Sequence, residues 1–102
     1  MDLGLDGKAA IVTGANRGIG MAIAKGLARE GCKVAMCSRD EQSITKAAEE
    51  VEEQTSAKAI GIAADVLNAQ DASRLVEEAA DKLGAIDILI NNVGSNVGER
   101  EL

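Results

Sequence analysis

Short apolar runs alternate along this chain with longer stretches in which apolar residues recur every three or four positions. Lys8 to Thr13 is a compact apolar run ending at Gly14, and a run of this kind without polar alternation suits a strand covered on both faces by helices. Ile19, Ala22, Ile23, Gly26 and Leu27 then recur at helical spacing, and Gly31 stands where a left-handed residue closes a helix. Val34 to Cys37 reads as a second strand. After it, Asp40 can cap a helix whose buried stripe is Ile44, Ala47, Ala48 and Val51 and whose other face is acidic. Ala59 to Ala64 forms a third strand. Asn68 caps the next helix with Asp71 at its third position, Ala72, Leu75, Val76, Ala79 and Leu83 make its apolar stripe, and Gly84 ends it. Ile86 to Ile90, the most hydrophobic strand, leads into Asn91-Asn92-Val93-Gly94 and a polar tail without periodicity. This order predicts the α/β class, with about four strands and three helices in a doubly wound parallel sheet.

Composition narrows the picture. The 102 residues are 46% hydrophobic and 27% charged, with no proline and no repeat, so residues 1–102 are expected to form one folded unit. Phe, Trp and Tyr are all absent, so the core must be built from Ile, Val, Leu, Met and Ala, and no tyrosine is present to act as an acid. A net charge of -6 argues against nucleic acid as a partner, since phosphate-backbone binding relies on clustered Lys and Arg. Met1-Asp2-Leu3-Gly4 has neither the basic nor the apolar region of a secretion signal, and no apolar run is long enough to span a bilayer; the expectation is a cytoplasmic protein with no membrane partner. Cys32 and Cys37, five positions apart on one strand, would lie about 16 Å from each other, beyond disulfide reach. With no histidine, no metal site is expected.

The candidate chemistry sits in the loops that follow the strands. Gly14, Gly18 and Gly20 occupy Thr13-Gly14-Ala15-Asn16-Arg17-Gly18-Ile19-Gly20, between the first strand and the first helix. A glycine turn there lets backbone approach a pyrophosphate, and the free amides and positive end of the helix stabilise its charge. The spacing G-x-x-x-G-x-G differs from the G-x-G-x-x-G dinucleotide fingerprint, and glycines alone are equally compatible with an ordinary strand-to-helix turn. At the end of the second strand, where an NAD-binding fold places an acid against the ribose hydroxyls, stand Ser38 and Arg39. Arg39 together with Arg17 can offer planar donors to a 2′-phosphate, which favours NADP over NAD; both are otherwise solvated surface groups. Asp65-Val66, after the third strand, can accept from an adenine amine or can satisfy loop amides. Asn91 to Gly94 offers amides at the same edge or forms a simple turn.

Taken together, Thr13 to Gly20, Asp65-Val66 and Asn91 to Gly94 resemble the short-chain dehydrogenase/reductase family, whose glycine motif is TGxxxGIG and whose fourth-strand motif is NNAG. The likeness runs from about Leu5 to Gly94, with Val93 in place of the family's alanine, and within the family the chain looks most like the 3-oxoacyl-[acyl-carrier-protein] reductases. The resemblance implies a Rossmann-type NAD(P)-binding domain, here its first half only. It implies Gly14, Asn16, Arg17, Gly18, Ile19 and Gly20 around the pyrophosphate and ribose, and Ser38 and Arg39 at the 2′-phosphate. Asp65 and Val66 fall at the adenine, Asn91 and Gly94 near the two riboses. It also implies hydride exchange with a small-molecule carbonyl or alcohol and a homo-oligomer when complete. In such enzymes a later Ser-Tyr-Lys set handles the proton. No catalytic residue is assigned here, so the chain reads as a truncated coenzyme-binding half, inactive by itself. Its last strand, an interior one in the complete fold, is left with a bare edge, which predicts a poorly soluble or marginally folded fragment. The alternatives are a non-catalytic dinucleotide-binding module, a half-domain completed by another chain, and a methyltransferase, in which an acid rather than Ser38-Arg39 is expected at the ribose.

Overall fold

The computed structural model describes residues 4–92. The elements run β1 (Ala9–Thr13), α1 (Gly18–Arg29), β2 (Lys33–Ser38), α2 (Glu41–Thr55), β3 (Ala59–Ala63), α3 (Ala69–Leu83) and β4 (Ile88–Ile90). The strands form one parallel sheet in the order β3-β2-β1-β4. This is the doubly wound α/β arrangement read from the sequence. Parallel strands need helical crossovers, and these cover both faces. Val12, Val34 and Met36 pack with α1 and α2 residues Ala24, Ala28, Ile44 and Val51 on one face. Ile11, Ala35 and Cys37 pack with α3 residues Leu75, Ala79 and Leu83 on the other. Cys32, just before β2, and Cys37, within it, fall in the two different layers and are free thiols.

The aromatic-free core is filled by Ile11, Met36, Ile44, Val12, Val34 and Val51, all fully buried. Small residues let the helices come close. The buried face of α1 is Gly20, Ala24 and Ala28, flanked by half-buried Met21, Ile23 and Leu27. Of the expected stripe of Ile19, Ala22, Ile23, Gly26 and Leu27, Ile23 and Leu27 pack against the core and the other three are corrected. Ile19 is 66% exposed, and Ala22 and Gly26 face outward. Alanine and glycine at positions four apart carry little hydrophobic signal, yet they define the face that can lie closest to the sheet. Val76 of α3 is likewise 46% exposed, outside the buried set Leu75, Ala79 and Leu83.

Helix ends follow the sequence more closely. Gly31 closes α1, its amide donating to Ala28 O and that of Cys32 to Leu27 O, the paired bonds of a Schellman ending. Asp40 caps α2 through bonds to the Gln42 and Ser43 amides, Asn68 caps α3 at the Asp71 amide, and Gly84 follows its last residue. The end of α2 had no such signal: Ser56 takes the left-handed conformation there, at φ 63.

The fourth strand is shorter than Ile86 to Ile90. Asp87 intercepts the ladder, its carboxylate accepting from the Ala9 amide at 3.0 Å while its own amide donates to Ala9 O, so regular pairing begins at Ile88. Among the described residues no strand lies beyond β4, and Leu89 is 61% exposed.

Gly61 sets the distance between β3 and α2. A Cβ there would stand 2.7 Å from Ile44 O and 3.0 Å from its carbonyl carbon, both backbone atoms that yield only if the helix moves. Gly61→Ala is therefore expected to destabilise the fold by about 1–3 kcal/mol, the usual cost of overpacking. Urea unfolding measures it, and an unchanged midpoint would show that α2 is not held at this contact.

Candidate functional site

Because all four strands run the same way, the loops after Thr13, Ser38, Ala63 and Ile90 emerge on one rim of the sheet. The strand order reverses between β1 and β4, and the crevice outside the carboxyl ends at such a reversal is where open α/β sheets hold ligands. Every residue singled out in the sequence belongs to these four loops or to the strand and helix ends beside them. Val93 and Gly94 lie outside the described residues.

The glycine turn is the best-defined part. Gly14 and Gly18 both have φ +59, a backbone conformation that disfavours a Cβ, and at Gly18 open space lies where that Cβ would be. Gly20 has a different reason: a Cβ would collide with the Gly14 carbonyl oxygen and stand 2.8 Å from Asn92 Nδ2. The turn is thus folded tightly onto the start of α1. Arg17 occupies the N-cap position in extended conformation and makes no side-chain cap, and the first turn of α1 carries no acid. The other two helices are capped by their own side chains, so α1 alone among them leaves its first amides and positive end without a side-chain partner. Ile19 stands exposed beside them.

Three sets of bonds tie the rim together. At the reversal point the buried Thr13 hydroxyl donates to Asn91 Oδ1 at 3.0 Å and accepts the Asn92 amide at 2.9 Å, while Asn92 Nδ2 reaches Gly14 O at 3.4 Å. Asn91 is therefore engaged in joining β1 to β4. Between the glycine turn and the next loop, Asn16 Nδ2 donates to Ser43 Oγ at 3.1 Å. On the third loop, Asp65 Oδ1 accepts the Leu67 amide at 3.0 Å, and the Asp65 amide donates to Asp71 Oδ2 at 2.9 Å. Arg74 lies 3.6 Å from Asp71 Oδ1 and donates to Ala63 O at 2.8 Å. The loop-amide alternative for Asp65 is thus realised at one of its oxygens, and Val66 beside it is half-buried. Thr13, Asn92, Ser43 and Arg74 had not been singled out as candidates. Thr13 and Asn92 were legible inside the motifs, whereas nothing in the spacing pointed to Ser43 or Arg74.

Arg17 and Arg39 are both exposed on this rim and make no ion pair among the described residues. The acid that follows Arg39 in sequence, Asp40, accepts the Gln42 and Ser43 amides of α2 at Oδ1, and Ser38 Oγ donates to the Asp40 carbonyl at 3.2 Å. No cluster of metal-ligating side chains exists among the described residues, and none of their helices is long and apolar enough to cross a membrane.

With this geometry in place, comparison with known proteins is decisive. The short chain dehydrogenase family profile matches residues 8–101. The chain belongs to that family. Dehydrogenase/reductase SDR family member 4 of Caenorhabditis elegans is 41% identical over 89% of this chain and 35% of its own length. The ketoacyl reductase HetN of a Nostoc species is also 41% identical, over 91% and 32%. The crystal structure of L-sorbose reductase from Gluconobacter frateurii, complexed with NADPH and L-sorbose, superposes with a TM-score of 0.86 at 36% identity, over 90% of this chain and 35% of that one. The chain spans about a third of the length of these short-chain dehydrogenase relatives.

Beneath the Asp65 loop lies the Cys37 thiol, bonded to Ala64 O at 3.6 Å. Burial pushes its pKa up from 9.0 to about 11, against a smaller opposing pull from the Arg74 cation and the Ala64 bond. The unfolded thiol ionises near 9 and the folded one near 11, so the stability owed to keeping it neutral is intact below 9 and is lost as pH rises from 9 to 11. Denaturant midpoints of the unsubstituted protein should fall across that window more steeply than those of Cys37→Ala. Parallel pH profiles would mean the thiol is hydrated in the folded state.

Proposed function

We propose that the whole protein is an NADP-dependent oxidoreductase acting on a small carbonyl or alcohol substrate, and that this chain carries its coenzyme-binding half. The observation that carries this reading is the rim itself: a glycine turn against a helix start without a side-chain cap, and two exposed arginines on the same rim that make no ion pair among the described residues, in a chain of the short-chain dehydrogenase family. In this reading Gly14, Asn16, Arg17, Gly18, Ile19 and Gly20 surround the pyrophosphate and its ribose, where orphan amides and a positive helix end favour a double negative charge. Ser38 and Arg39 receive the 2′-phosphate with Arg17. Asp40 Oδ1 is held by the first amides of α2, and Ser38 and Arg39 rather than an acid stand at the end of β2, which supports this preference. Asp65 and Val66 border the adenine, and Asn91 and Gly94 the riboses.

When bound, the nicotinamide supplies or takes up a hydride. This chain's own residues hold and orient the coenzyme at the crevice. The chain contains no tyrosine, so the proton exchanged with the substrate oxygen is assigned to residues outside it. Similarity to the ketoacyl reductase HetN supports a ketoacyl group as the substrate class, and the resemblance to 3-oxoacyl-[acyl-carrier-protein] reductases agrees with it. A cytoplasmic homo-oligomer remains the proposed setting, and one NAD(P)-binding domain the proposed role of residues 1–102. Among the described residues β4 has no neighbour on one side and Leu89 is exposed, which favours a second arrangement in which another chain completes the sheet around a non-catalytic module. A Tyr-x-x-x-Lys motif later in the reading frame separates the enzyme from the module.

Replacing Arg39 with alanine tests the coenzyme assignment. The lost charge-assisted contact should weaken NADPH by about 1.5–3 kcal/mol and NADH far less, as read by calorimetric titration. Equal losses for the two coenzymes would refute it.

A further inference from the structure

Resting on the coenzyme reading above, we propose that Ser43, on the first turn of α2, is a positioning residue that sets selectivity for the 2′-phosphate by locking the glycine turn to the β2–α2 loop. Its hydroxyl accepts from Asn16 Nδ2 at 3.1 Å and donates to the Asp40 carbonyl at 3.4 Å, so one oxygen joins segments 27 residues apart in sequence. Asn16 immediately precedes Arg17, and Asp40 immediately follows Arg39. The bonded path amide–hydroxyl–carbonyl therefore connects the backbones that carry the two arginines.

The hydroxyl is not needed to start the helix. Asp40 Oδ1 already takes the Gln42 amide at 3.0 Å and the Ser43 amide at 3.3 Å, and both donors are backbone groups that any residue supplies. The Ser38 hydroxyl also donates to the Asp40 carbonyl, at 3.2 Å, which ties the loop carrying Arg39 to the same acceptor. Asn16 and Ser43 are both half-buried, whereas Arg17 and Arg39 are exposed and without ion pairs among the described residues. Two flexible cations grip one phosphate well only when their backbones are held at a fixed spacing, since otherwise that ordering is a cost of binding. The cost falls on the coenzyme that bears the phosphate.

The experiment is calorimetric titration of the full-length protein, unsubstituted and as Ser43→Ala and Ser43→Thr, with NADPH and with NADH, alongside thermal melts without ligand. Ser43→Ala is expected to lose roughly fivefold in NADPH affinity, as for one net hydrogen bond, with NADH changed by less than about twofold and the melting midpoint retained because Asp40 still caps α2. Ser43→Thr keeps the hydroxyl and restores the NADPH affinity. Unchanged NADPH binding by Ser43→Ala, equal losses for both coenzymes, or no rescue by threonine overturns the proposal while leaving the coenzyme site standing. If the unsubstituted protein binds neither coenzyme, the reading of the rim fails and this inference fails with it.

Discussion

Of the described glycines, Gly20 at the start of α1 leaves the least room for a side chain, and the rim depends on that contact. With no side chain at Gly20, the helix start settles directly against the Gly14 carbonyl, and the same gap admits Asn92 Nδ2 from the end of β4. Any larger residue there would push the helix outward, open the turn and separate β1 from the β4 loop at once. Ala24 and Ala28 continue the contact one and two turns later, so the helix lies low along its buried face. A turn at positive φ at Gly14 and Gly18 is the backbone solution that lets so close a helix follow directly on the strand.

Charge is distributed around that contact in a consistent way. The protein carries a net charge of -6, yet the carboxylates on the rim are engaged with backbone amides: Asp40 with the start of α2, Asp65 with Leu67, Asp71 with Asp65. Each neutralises a donor that its own loop would otherwise leave bare. Among the described residues the one helix start without such a partner is that of α1, and the rim cations Arg17 and Arg39 make no ion pair there either. The rim therefore combines positive groups that have no carboxylate partner among the described residues with carboxylates held in local bonds, in a protein that is negative as a whole.

The fold was legible because its signals are local and redundant. Each strand is an unbroken apolar run, and Asp40, Asn68, Gly31 and Gly84 mark helix ends by chemistry that needs no tertiary knowledge. Family motifs made the same loops stand out. What escaped was decided by contact between distant segments. The buried face of α1 is set by how near Gly20, Ala24 and Ala28 can come to the sheet, which hydrophobicity does not record. The short β4 follows from Asp87 bonding to Ala9 across 78 positions, and the end of α2 at Ser56 has no residue preference to announce it. Ser43 entered the site only through its bond to the glycine turn, and Arg74 only by reaching back to the end of β3.

Those bonds also define what this stretch of chain can do without the rest of its family's length. Thr13 joins the first and fourth strand ends, Asn16 joins the glycine turn to the loop after β2, and the Asp65–Asp71–Arg74–Ala63 series closes the loop after β3 on itself. The described loops are therefore braced within residues 4–92, by groups that are mostly half-buried and shielded from competition with water. In a fold that serves many reactions, bracing of this kind lets the segments beyond β4 differ between family members without disturbing the loops at the carboxyl ends of the strands.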